Sequence, residues 1–375
     1  MTPDLRLEMR QEELEDSEDE RIINFRLSPE DFEVARKVNV DQKKEFLNKL
    51  EEKRVELTPA QEEIVSLANE EIANVLNSYN LDLPDKVYSN TDIVPLDFAG
   101  YKDATGQKAK TAWGMDSVGV YISQYDKALL WYKKGPWSKD GRNQEFLHTV
   151  SHELLHAKSY LALQAFRGEG GGDVNTYRSG LQLIKLGSPE KGMFHALNEA
   201  ITETLAAQVT NQVINNQRDL FHEKFVEQIL YELAKAISYK KSKVARISDM
   251  KKRWEDWMDS NARRDDSGHI LYETRLKEDF IQQLAADPKY RYEYPEQYQP
   301  YGRERKMFEK LVKALTEKSE EYGGREKEIR SLFYQAYTSG QMLPVGRLVE
   351  KTLGKGTFRF VAENPFFSEL NKRLE

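Results

Sequence analysis

The chain has 375 residues, of which 39% are apolar, 32% are charged and none is cysteine, and its formal charge is -7. That length exceeds one ordinary domain, and the negative balance argues against a general nucleic-acid binder, because phosphate contacts need a concentrated positive field. The missing cysteines exclude disulfides, thiolate metal sites and cysteine nucleophiles together, so any metal must rest on histidine, carboxylate and water.

Residues 1–27 read as an acidic, disordered tail, with Glu12 to Glu20 a disordered or solvated charge run. The N-terminus offers no apolar core for a signal peptide, and no stretch approaches the ~20 apolar residues of a membrane span. The expected setting is cytoplasmic, with no membrane partner and no nucleic acid. Residues 28–82 form a helical lead-in. Ser28-Pro29-Glu30-Asp31 supplies an N-cap with proline at the first helical position, and Thr58-Pro59-Ala60-Gln61 repeats the signal before an amphipathic segment to about Leu81.

After Leu83-Pro84, the stretches Lys86 to Tyr88, Ile93 to Phe98 and Val118 to Ser123 alternate or run β-branched and aromatic, which predicts strands of one small sheet. Asp116 to Tyr125 is open between an edge strand able to pair with an extended peptide and an interior strand. Gly135-Pro136 and Asp140-Gly141 punctuate the chain before an uninterrupted helical pattern from about Asn143 to Phe166. Gly168 to Asp173 reads as a flexible loop, and Thr176 to Ile184 as a short strand or extended connection. It is not a phosphate loop, which would need lysine and Ser/Thr at fixed offsets.

Helical patterns then dominate, over Leu197 to Ala236, Ile247 to Trp257, Arg303 to Lys318 and Arg325 to Tyr337. The basic cluster from Lys240 to Arg253 reads as a solvated helix face. Tyr290, Tyr292, Tyr294, Tyr298 and Tyr301, with Pro295 and Pro300, read as a packed, extended connection between helices. The expected organisation is the tail (1–27), the lead-in (28–82), an α+β core (83–240) and a helical C-terminal region (241–375).

Inside the helix predicted from Asn143 lies His152-Glu153-Leu154-Leu155-His156. Residues four apart stack on one helix face, so the two imidazoles can converge on one metal at ~2.0 to 2.1 Å. Glu153 is rotated about 100° from His152 and stands beside the metal, placed to take a proton from its water. His148 shares the face, but three histidines over two turns span about 12 Å and cannot all ligate one ion. His148 is therefore open between a group lining the cleft or supporting a ligand and an ordinary hydrogen-bonded histidine.

The next strong helix opens with Asn198-Glu199-Ala200-Ile201-Thr202-Glu203. HELLH followed by NEAITE resembles the gluzincin superfamily of zinc peptidases, in which a glutamate on a second helix is the third ligand. The resemblance covers about Lys86 to Val213. It implies an α+β zincin-like core, Zn2+ held by His152, His156 and Glu199, Glu153 as general base, and a peptide or protein substrate.

It further implies that Glu203 orients a ligating imidazole, whereas the plain reading of Glu199 and Glu203 is a solvated helix face. The metzincin extension fails, since Ser159 and Ala162 stand where glycine and histidine are needed. Lys158 and the long separation of Glu199 from His156 depart from thermolysin-like enzymes and leave the subfamily open. For the oxyanion, Tyr177, Arg178 and His195 are candidates because they lie between the two ligand helices, each with packing or a surface ion pair as its alternative. A zinc-holding scaffold that works by binding a partner and a zinc hydrolase of non-peptide amides remain open. The oligomeric state is not legible.

Overall fold

The computed structural model describes residues 22–24, 27–81, 93–96, 100, 104, 119–122, 127–131, 143–168, 171–185, 188–217, 220–221, 226, 228–234, 245–261, 263–264, 270–271, 273–287, 290 and 301–363. The acidic run, the strand expected at Lys86 to Tyr88, part of the basic cluster and Tyr292, Tyr294 and Tyr298 lie outside the described residues.

Helices α1 (Pro29–Glu51) and α2 (Pro59–Asn77) start where their caps predict. The Asp31 N–H donates to Ser28 Oγ, and Thr58 and Gln61 close a capping box in which each side chain accepts from the other's backbone N–H. The apolar face of α2 is central. Ile64, Val65, Ala68, Ile72, Val75 and Leu76 are buried against α3 (Asn143–Ala157) and α4 (His195–Asn216), so the lead-in and the motif helices share one core. Helix α1 instead touches two sheets. Its Ala35 packs with Leu163, Ala165 and Val174, and its Leu50 with Val94, Leu96 and Leu129.

A three-stranded sheet has the order β2–β4–β3, with β2 (Ile93–Leu96) parallel and β3 (Gly119–Ile122) antiparallel to β4 (Lys127–Trp131). Of the two readings of Asp116 to Tyr125, the edge strand holds among the described residues. Strand β4 was not anticipated.

A second, five-stranded sheet has the order β1–β5–β6–β7–β8, formed by β1 (Ile22–Asn24), β5 (Leu161–Gly168), β6 (Gly171–Ser179), β7 (Gln182–Lys185) and β8 (Ser188–Met193). Three expectations are corrected here. Ile22 to Asn24, expected within a disordered tail, form β1 and pair in parallel with β5. The helix predicted to run to Phe166 stops at Ala157, where Ser159 donates from both its N–H and its hydroxyl to the His156 carbonyl and ends the ladder. Residues 162–165 then form a strand buried on both faces, which shows no alternation and is indistinguishable from a helix by periodicity. The loop expected at Gly168 to Asp173 is a hairpin end, with Gly168 paired to Gly171.

The C-terminal region adds α5 (Ala245–Asn261), α6 (Glu273–Ala286), α7 (Gly302–Lys318), α8 (Glu326–Ser339), α9 (Leu343–Leu353) and α10 (Thr357–Glu363). Helix α7 packs on α4, α8 and α9, and Phe308, Leu311, Phe333 and Tyr337 are buried in the core shared with α2. The architecture is mixed α and β. No helix among the described residues is long and apolar enough to cross a membrane.

Candidate metal centre

Helices α3 and α4 pack face to face, and the polar side chains of that interface are buried rather than solvated. His148, His152, Glu153, Glu199, Glu203 and Thr210 are all buried, a state that costs free energy unless every group is paired. The start of α4 is held by tertiary contacts. Phe194 precedes it with φ 62, outside the region non-glycine residues prefer, while its N–H donates to the Ala362 carbonyl at 2.8 Å and its ring packs on Phe358. Asn198, one residue before Glu199, accepts from the Leu181 N–H at 2.9 Å.

Glu203 is fully buried and faces two imidazoles. His148 Nε2 lies 3.0 and 3.2 Å from its two oxygens, and His152 Nδ1 lies 3.2 Å from Oε2. Burial pushes the Glu203 carboxyl up, but its contacts with His148 and His152 outweigh burial and hold it at about 2. An ionised carboxylate only accepts, so both rings donate to it and His152 keeps Nε2 for another partner. The other nitrogen of His148 lies 3.1 Å from Thr210 Oγ1.

That remaining His152 nitrogen points into a triangle. His152 Nε2 and His156 Nε2 are 3.1 Å apart, and Glu199 Oε2 is 3.4 Å from each. Bonds of 2.0 to 2.1 Å to a tetrahedral ion place ligand atoms about 3.3 to 3.4 Å apart, so this buried group could hold one metal ion. Burial opposes charge on His152, but the flanking Glu199 and Glu203 outweigh it and raise its affinity for a proton well above the ordinary value. Glu199, despite its burial, is held well below the usual carboxylate range by His156 and His152. A proton would therefore compete with any metal ion for His152 Nε2.

Glu153 stands beside the triangle, buried, between α3 and the edge strand β3. Its pKa is raised, first by burial and with Glu199 adding to it, while His152, His156 and a hydrogen bond from the Tyr121 N–H act in the opposite sense. Gly119 allows this approach. A Cβ there would come within 2.8 Å of Glu153 Oε1 and of Thr149 Cγ2.

The phenol that stands against the histidines is Tyr301, immediately before α7. Its ring is stacked on His152 with centroids 5.5 Å apart and planes 12° from parallel. The Glu199 carboxylate, then burial and Glu153, raise its pKa well above the ordinary value, so it keeps its proton and can donate a hydrogen bond. Sequence reasoning placed Tyr301 in a packed connection, because nothing in its spacing ties it to HELLH.

Of the residues proposed for the oxyanion, His195 is exposed at the rim, with Nδ1 3.8 Å from Glu199 Oε1 and 3.3 Å from Gln182 Oε1. Tyr177 is half-buried on β6. Arg178 is pinned in packing, its Nε donating to the Gly180 carbonyl and its guanidinium lying over the Tyr160 ring. No family model, curated protein or solved structure matches the chain.

Proposed function

We propose that this chain is a zinc-dependent peptidase with a zincin-like core of the gluzincin type. The observation that carries the reading is the buried convergence of His152 Nε2, His156 Nε2 and Glu199 Oε2 at tetrahedral spacing, with the Glu153 carboxyl beside them. Two imidazoles and a carboxylate, in a chain without cysteine, suit Zn2+. When bound, zinc would acidify a coordinated water and polarise the scissile carbonyl.

The chain's own residues do the rest. Glu153, with its raised proton affinity, takes the proton of the attacking water and delivers it to the leaving amine. Tyr301, a neutral phenol over His152, donates to the oxygen on which charge develops. Glu203 fixes the tautomer and orientation of His152. The β3 edge, whose Tyr121 N–H reaches Glu153, offers an extended peptide a backbone to run along.

The test combines elemental analysis of the purified chain with cleavage of an unbiased peptide library by the wild type and Glu153→Gln. Zinc at one per chain with Glu153-dependent cleavage supports the reading. Zinc without any cleavage would turn it toward a binding scaffold.

A further inference from the structure

We infer that Tyr337, on α8 in the C-terminal region, is a positioning residue of the metal centre: its hydroxyl ties the end of the histidine helix to the glutamate helix. The inference rests on the metal-site reading above.

The last carbonyls of a helix lack intrahelical donors. At the end of α3, the Lys158 N–H donates to Leu154 O and the Ser159 N–H to His156 O, which passes over Leu155 O. The hydroxyl of Tyr337 donates to that carbonyl at 2.9 Å, one residue before the ligand His156. The same hydroxyl lies 2.9 Å from Thr202 Oγ1, three residues after Glu199 on α4. The phenol's one proton goes to a carbonyl that only accepts, so the single Thr202 proton is shared between the Tyr337 oxygen and the Asn198 carbonyl, which also lies 2.9 Å from Thr202 Oγ1.

Tyr337 is itself held at two further points. Its carbonyl accepts from the Tyr160 N–H at 2.9 Å, and its ring lies so close to Gly180 (φ 57) that a Cβ there would come within 2.9 Å of it. The phenol is fully buried. One hydrogen bond to α3 and one shared with the Asn198 carbonyl on α4 thus tie the two helices through a single oxygen near both ligand positions, where a shift of about 0.5 Å is enough to spoil a coordination site.

Tyr337→Phe keeps the ring and removes the bridge. In the full chain, zinc affinity measured by competition with a chromophoric chelator should weaken about tenfold or more. The visible absorption bands of the Co2+-loaded protein should also change, while metal-free Tyr337→Phe still unfolds cooperatively in urea. Thr202→Val removes the bridge from the α4 side, together with the Thr202 bond to the Asn198 carbonyl, and should act in the same direction, with little added on the Tyr337→Phe background if the bridge is the part that matters. If Tyr337→Phe does not fold, Thr202→Val decides alone. Wild-type zinc affinity and an unchanged cobalt spectrum in these variants would overturn the positioning role and leave the metal centre standing. A wild type that binds no zinc, with His152→Ala indistinguishable from it, would overturn the metal centre and the role together.

Discussion

Glu203 Oε2 lies 3.2 Å from His152 Nδ1, on the side of the ring opposite the nitrogen that faces Glu199. The carboxylate thereby decides which His152 nitrogen is available to a metal, and it does so while also engaging His148.

Glu203→Gln should weaken zinc binding by about 10- to 100-fold, the usual effect of removing an acceptor behind a ligating imidazole. It should also change acid stability. The folded carboxyl sits at about 2 against an ordinary 4.5, so its contribution is complete above pH 4.5 and is lost as pH falls from there toward 2. The difference corresponds to about 3 kcal/mol. Urea midpoints of the metal-free proteins at pH 6 and pH 3 provide the check: the wild type should lose more stability than Glu203→Gln over that interval.

Glu153→Gln should retain zinc and fold and lose peptide cleavage by about 10² to 10⁴. Because the base must be ionised, kcat/KM of the wild type should fall at acid pH as Glu153 takes up a proton. Wild-type-like turnover by Glu153→Gln would remove Glu153 from the role of base.

Tyr301→Phe preserves the stack on His152 and removes the hydroxyl. The expected result is a drop of about 10² in kcat with zinc affinity and KM little changed, as for loss of one oxyanion donor. Unchanged kcat would return the role to His195 or Tyr177.

The lead-in helix α2 contributes core rather than cover. Ile72→Ala should cost about 2 to 5 kcal/mol in urea unfolding, since Ile72 is fully buried against the motif helices. A chain starting at residue 83 should fail to unfold cooperatively. If it folds and cleaves peptides faster than the full chain, the lead-in restricts the cleft instead.

What the sequence determined by itself is local. The caps at Ser28 and Thr58 and the pairing of His152 with His156 follow from spacings of three and four residues, which helix geometry converts directly into contacts. The choice of Glu199 as partner needed a resemblance, because it lies on another helix and no periodicity links the two.

Tertiary structure alone decided the rest. Strand β5 carries a helix-like sequence pattern because packing on both faces erases alternation. Glu203 meets His148 and His152 only once α3 lies against α4, Tyr301 reaches His152 only through α7, and Tyr337 joins Leu155 to Thr202 across 182 and 135 residues of chain. Contacts at such separations are set by which apolar faces bury each other, and a single sequence carries no local signal for that choice.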